Sequence, residues 1–211
     1  GKGNTLVLSQ AIDYAVENGA DIINLSLVGD AFTEHLTEAI ANAYNSGVMI
    51  IAASGNENEE GLNLDIDPRY PVCDIDGINR VLGVAAVDQD LKLTDFSNFG
   101  RECIDISAPG TGFYSTIFQK SSTTDFQAYY SNGWNGTSVA APVVTATAAL
   151  IKMNYPELRP FDIYNILTDS TQSLQAANPA HYLDLGAGLI DVGAALNLAN
   201  DYANQAIRIV L

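Results

Sequence analysis

Two kinds of apolar spacing alternate along this chain. Leu6, Leu8, Ile12, Ala15 and Val16 recur at helical intervals and stop at Gly19, a residue suited to the left-handed cap of a helix. Asp21 to Leu27 then reads as a strand. A second amphipathic helix is predicted from about Phe32 to Ser46, with Gly47 as its stop. Val48 to Ala53 follows as a wholly apolar strand running into Ser54-Gly55-Asn56. Arg80 to Val87 reads as a third strand and Cys103 to Ser107 as a shorter fourth. The small apolar residues from Val143 through Ile151 form a buried helix that begins near Ser138. Arg159-Pro160 opens another helix through about Asp169, and Val192 to Tyr202 forms the last. Ala206 to Leu211 has strand character and no place in the alternation. Apolar strands alternating with helices predict an α/β fold, three-layered, with a mostly parallel central sheet covered on both faces. Ser26, Asn56 and Ser138 then meet at the carboxyl edge of that sheet, where ligands bind in open α/β folds.

The chemistry concentrates in Asn135-Gly136-Thr137-Ser138-Val139-Ala140-Ala141-Pro142. A Gly-Thr turn brings a serine hydroxyl to the surface at the mouth of an apolar helix, beside the positive end of the helix dipole. A nucleophile held rigidly there, with backbone N–H groups free in the first turn, suits acyl transfer. The plain alternative is a helix start with Thr137 or Ser138 as its cap. Gly136, Thr137, Ser138, Ala140 and Pro142 match, position for position, the nucleophile motif of the subtilisin-like serine peptidases, which the segment resembles. In that family the Asn of a Ser-Gly-Asn turn donates its amide to the oxyanion of the tetrahedral intermediate. The resemblance puts Asn56 in that role, with the Ser138 N–H as second donor, and Ser138 as nucleophile.

Further segments agree in order. Asp21 to Leu27 resembles the family strand whose end pairs with bound peptide, so Ser26, Leu27, Val28 and Ala53, Ser54, Gly55 are expected to line a cleft for a polypeptide substrate. Phe96-Ser97-Asn98-Phe99-Gly100, Ala108-Pro109-Gly110 and Gly186-Ala187-Gly188-Leu189-Ile190-Asp191 match further family loops. The resemblance runs from about Leu6 to Leu198, and residues 1–211 are expected to form one domain, the C-terminal portion of such a peptidase. Val28 stands where Gly is common, and Val143-Val144 replaces the usual His-Val.

The family's triad Asp and His precede the first helix seen here, and a serine hydroxyl needs a base to take its proton. His35, on a predicted surface helix, and His181, in a loop, match neither position; Lys152 lies about four helical turns beyond Ser138. Three explanations stand: a piece of a longer peptidase, one subunit of a two-chain enzyme whose missing segment or second chain supplies Asp and His, or an inactive pseudopeptidase that binds peptides or self-associates. The family's N-terminal strands are also missing, so Asp21 to Leu27 is expected to be an open sheet edge inviting a homo-oligomer or a partner segment.

Composition narrows the partners. The 211 residues carry 25 acidic against 9 basic side chains, a formal charge of −16, which repels nucleic acid. No apolar run reaches the roughly 20 residues of a membrane span. The resemblance requires no cofactor. Calcium is conceivable at the acidic loop from Glu57 to Asp67, although a solvated loop fits its spacing better, or at Asp105, which matches a cation ligand of some family members. Cys73 and Cys103 lie in regions that some members bridge; two free thiols are equally open. Arg69 precedes Tyr70-Pro71, where the family has the floor of its primary specificity pocket. It either sets a positive charge there, favouring an acidic substrate side chain, or swings to solvent and pairs with Asp65 or Asp67.

Overall fold

The computed structural model describes residues 3–57, 60–73, 77–118 and 128–209. Helix α1 spans Thr5–Glu17 and opens where Asn4 Oδ1 accepts the Val7 N–H at 2.9 Å. It ends before Gly19, whose φ of 78° an L side chain rarely adopts. Strand β1, Ile22–Leu25, follows, and then α2, Glu34–Asn45, which buries Leu36, Ala39, Ile40 and Ala43 along one face. Strands β2 (Met49–Ala53) and β3 (Val81–Val87) are buried at every position, as parallel strands covered on both faces must be. Strand β4 is Ile106–Pro109, so the expected fourth strand is shifted towards the carboxyl end. Cys103 and Ile104 instead lie in a turn closed by the Ile104 N–H on Gly100 O.

The four strands lie side by side in the order β1-β2-β3-β4, all parallel, with Ile23 opposite Ile50, Ile50 opposite Val81, and Val84 opposite Ile106. Alternation along β2 divides the core. Ile50 and Ala52 pack with Ile12, Leu36 and Ile40 of the α1–α2 layer. Met49, Ile51 and Ala53 face Ala140, Val144 and Ile151 of α3 (Thr137–Asn154) and Ile163 and Ile166 of α4 (Pro160–Asp169). Each fully buried Ile or Leu contributes about 2–3 kcal/mol of hydrophobic stabilisation, enough to fix the strand register.

The last helix, α5, runs from Val192 to Ile209, so Ala206–Ile209 continues a helix rather than forming a strand; Val210 and Leu211 lie outside the described residues. No Gly or Pro interrupts Ala194 to Ile209, and extending a helix costs far less than starting one. A two-stranded antiparallel hairpin, β5 (Phe113–Thr116) and β6 (Tyr130–Trp134), leads into α3 and was not anticipated from the sequence. Cys73 and Cys103 are disulfide-bonded, their Cα atoms 4.6 Å apart. Nearby, the Cys103 carbonyl approaches Gly83 so closely that a Cβ there would overlap it. Among the described residues no strand pairs with the outer edge of β1. Among the described residues no helix is long and apolar enough to cross a membrane.

Candidate active site

The site is assembled where β2 and α3 meet. Beyond Ala53 the chain turns at Gly55, φ 105°, where a Cβ would lie 2.5 Å from Asn98 Nδ2 and 2.7 Å from Val28 Cγ2. Only glycine leaves room there. Buried Asn98 holds the turn: its Nδ2 donates to Ser54 O at 3.0 Å and its N–H to Gly55 O at 3.0 Å, while its Oδ1 accepts from Leu62 N. The buried Ser97 hydroxyl accepts from Ala86 N at 2.9 Å, tying this loop to β3.

Asn56 is then oriented by Thr137, 81 residues away. Its Oδ1 accepts from both the Thr137 N–H, at 2.8 Å, and the Thr137 hydroxyl, at 3.0 Å. The same buried hydroxyl accepts the Gly55 N–H at 3.1 Å. With its oxygen taken twice, the Asn56 amide nitrogen turns towards Gly136. A Cβ on Gly136 would sit 2.9 Å from Asn56 Nδ2 and 3.0 Å from Ser138 Oγ, so both polar atoms border one small space that glycine leaves open. Gly136 is the N-cap of α3, with φ 146° and no side-chain cap; neither Thr137 nor Ser138 caps the helix. Its N–H donates to Gly110 O at 2.8 Å, and a Cβ on Gly110 would lie 2.5 Å from Ala86 Cβ. Sheet and helix start therefore approach at backbone distance.

Ser26, just past β1, donates its hydroxyl to the Ser138 carbonyl at 2.9 Å. Leu27 is exposed and Val28 half-buried over Gly55. Ser26, Val28, Gly55, Asn56 and Ser138 thus share one locality, with Ala53 and Ser54 buried beneath it. An antiparallel bridge between Gly29 and Tyr70 joins the Ser26–Val28 rim to the Arg69 segment.

Arg69 neither stands free nor swings to solvent. Its side chain is 13% exposed and makes a bidentate pair with Glu57, Nε to Oε1 at 2.7 Å and Nη2 to Oε2 at 2.9 Å, and a second pair with Asp67 at 2.6 Å. Those hydrogen bonds push the guanidinium pKa up, and Arg69 holds the Asp67 carboxyl below its ordinary value. Asp65, the other partner considered, accepts the N–H groups of Arg101 and Glu102 instead. The acidic loop is therefore largely engaged within the protein; its Asn58 and Glu59 lie outside the described residues.

Asp105 Oδ1 accepts from Asn79 Nδ2 at 2.6 Å and from Tyr164 OH at 2.7 Å, and its Oδ2 accepts from Gly83 N at 2.7 Å. Burial, opposed by these three bonds, holds its carboxyl above the ordinary aspartate range. Among the described residues no three His, Cys, Asp or Glu side chains are grouped to hold a metal. His35 is exposed and 3.8 Å from Glu38. His181 packs edge-on against Phe99 and lies 3.3 Å from Asp184 Oδ2. Lys152 donates to Pro156 O and Leu158 O beyond the end of α3.

Sequence reasoning singled out Ser138 and Asn56 but not the clamp between them. The signal for the role of Thr137, a buried β-branched hydroxyl beside the serine, has meaning only once Gly55 is brought alongside. Asn98 likewise lies within a matched loop, where nothing local marks its grip on Ser54.

A parallel sheet carrying a serine and an oriented carboxamide at its carboxyl edge defines the class, an α/β protein of subtilisin-like fold. The Subtilase family model matches residues 1–188, and the chain belongs to that family. It is 34% identical to subtilisin DY of Bacillus licheniformis over 92% of its own length and 64% of that protein's. To the thermostable alkaline protease of Halalkalibacterium halodurans it is 33% identical, over 92% of this chain and 47% of the relative. Among solved structures, a protease from Pseudoalteromonas arctica superposes with a TM-score of 0.76 at 30% identity, covering 93% of this chain and 59% of the other. The chain thus spans less than two thirds of the length of these relatives.

Proposed function

We propose that the chain forms part of a serine endopeptidase that hydrolyses peptide bonds through an acyl-enzyme on Ser138. The observation that carries this reading is the Thr137 clamp. By occupying Asn56 Oδ1 twice it leaves the amide nitrogen aimed at the space that also borders the Ser138 hydroxyl. A donor fixed before reaction stabilises a developing oxyanion without reorganisation, and losing one such donor costs about 3–4 kcal/mol of transition-state stabilisation. The Ser138 N–H, in the first turn of α3, is the second donor. Ser26, Leu27 and Val28 form one wall of a polypeptide cleft and Ala53, Ser54 and Gly55 the other, with Arg69 neutralised behind them by Glu57 and Asp67.

The proton acceptor comes from outside these 211 residues. His35 and His181 are engaged with Glu38 and with Asp184 and Phe99, and Lys152 closes the far end of α3. A preceding segment or a second chain adding to the β1 edge supplies His and Asp, as the shares of the relatives left uncovered allow. No cofactor takes part in this chemistry. The test uses the protein isolated from its source, treated with a fluorophosphonate and mapped by mass spectrometry. A single adduct on Ser138, absent from Ser138→Ala, is expected. No adduct on Ser138 in protein that binds peptides would favour the pseudopeptidase reading instead.

A further inference from the structure

Pro142 removes a hydrogen bond from the residue that carries the reactive hydroxyl. In a regular helix the carbonyl of residue i accepts the N–H of residue i+4. For Ser138 that residue is Pro142, inside α3, which has no N–H and whose ring crowds the carbonyl four residues before it. The Ser138 carbonyl is met instead by the Ser26 hydroxyl at 2.9 Å, from a position 112 residues earlier. Ser26 in turn accepts Asn24 Nδ2 at 2.9 Å. Asn24 Oδ1 faces the Thr145 hydroxyl at 2.9 Å, and the single Thr145 proton has Ala141 O as a second acceptor at the same distance. An amide nitrogen can only donate, so the one proton on Ser26 is directed to Ser138.

We propose that Ser26, Asn24 and Thr145 are positioning residues that set the Ser138 peptide by supplying the hydrogen bond that Pro142 withholds. The row starts on α3 at Thr145, crosses to the end of β1 and returns to α3 at Ser138. It therefore fixes the first turn of the helix from outside, where the intrahelical ladder is interrupted. Val139 N and Ala140 N share Gly136 O, at 3.1 and 3.3 Å, and Thr137 and Gly136 tie the start of this turn to Asn56, Gly55 and Gly110, which leaves Ser26 as the tie on the Ser138 carbonyl itself. Holding the Ser138 carbonyl holds its backbone torsion and thereby the direction of its side chain. The catalytic consequence rests on Ser138 being the nucleophile; the structural part does not.

Two readouts on the native protein separate these. The sequence contains one Ser-Val peptide, Ser138-Val139, so 13C-carbonyl serine with 15N-valine labelling isolates its carbonyl resonance. Ser26→Ala should move that resonance upfield, through loss of its hydrogen bond, and Asn24→Ala should move it the same way by less. Adding Pro142→Ala to Ser26→Ala restores an N–H at i+4 and should return the resonance towards its original position. Kinetically, Ser26→Ala should lower kcat about tenfold and raise KM by far less, the loss expected of one oriented hydrogen bond, and Ser26→Thr should recover most of it. An unmoved carbonyl resonance in Ser26→Ala, or no recovery in the double variant, overturns the relay. A fall in kcat matched by a rise in KM, or no rescue by threonine, would reduce Ser26 to a cleft wall. If the wild-type protein takes no probe at Ser138, the peptidase reading falls and the carbonyl resonance alone decides the relay.

Discussion

Thr137→Val isolates the clamp that orients Asn56. Valine keeps the shape of threonine, so no cavity opens at this buried position; only the hydroxyl is lost. Two interactions go with it: the 3.1 Å bond accepted from Gly55 N and the 3.0 Å bond donated to Asn56 Oδ1. The Gly55 N–H is left buried without an acceptor, which costs about 1–3 kcal/mol, and the neutral bond to Asn56 adds about 1 kcal/mol. The sum centres on about 3 kcal/mol, and for a chain of this size each kcal/mol lowers the melting temperature by about 2–4 °C. Scanning calorimetry should thus show Thr137→Val melting about 6–12 °C below wild type. Thr137→Ser, which keeps both bonds and loses one methyl, should fall by only about a third as much. Probe labelling of Ser138 should fall in the valine variant as well, because the Asn56 amide keeps only its bond from the Thr137 N–H. A valine variant within about 2 °C of wild type, or a serine variant destabilised as strongly as valine, would refute the clamp.

Other consequences are equally accessible. Gly136→Ala should cut probe labelling at least about a hundredfold, because its Cβ fills the space between Asn56 Nδ2 and Ser138 Oγ and the φ of 146° strains any L side chain there; normal labelling would remove that space from the mechanism. Replacing Cys73 and Cys103 together with serine releases a link between residues 30 apart and should cost about 3.5 kcal/mol in urea unfolding, against under 1 kcal/mol if the unfolded chain is little constrained. Asp105 should titrate above its ordinary value of 3.8 in carboxyl-carbon NMR. The folded state then holds that proton more tightly than the unfolded one, so this group's contribution to stability declines as pH rises from about 3.8 towards the folded value. Asp162, whose carboxyl Arg159 holds low, acts in the opposite sense, its contribution being lost as pH falls through its depressed value. The 211-residue chain by itself should self-associate with concentration in sedimentation velocity, through the open edge of β1; a concentration-independent monomer would show that edge to be covered.

What could be read in advance was local. Gly136-Thr137-Ser138 announces a turn before a helix because glycine tolerance and apolar spacing act over a few residues, and the buried strands Met49–Ala53 and Val81–Val87 are legible as continuous apolar runs. Edges were less certain: the run at Cys103 looked like strand, yet pairing begins at Ile106, because pairing depends on where β3 lies. Long-range polar bonds left no trace. Asp67, two residues from Arg69, pairs with it as nearness in sequence suggests, whereas Glu57, 12 residues away, reaches it only because the chain bends to bring it in. The hairpin of Phe113–Thr116 and Tyr130–Trp134 has no local signature, because a long connection separates its strands and no short Asn-Gly turn marks it. Ser26 was read as a cleft residue; its bond to the Ser138 carbonyl follows from a proline whose effect is felt four residues upstream and across a sheet.

The polarity of the sheet also constrains whatever completes it. All four strands point the same way, and the carboxyl end of β1 stops one residue short of Ser26. A strand that adds to β1 in the same sense must run alongside Ile22–Leu25 and emerge beside Ser26, delivering the residue that follows it to the neighbourhood of Ser138. Added in the opposite sense, it would bring the residue before it instead. The direction of an incoming segment, more than its sequence, thus decides which of its ends reaches the serine, so a reconstituted assembly could be fully paired and yet chemically silent.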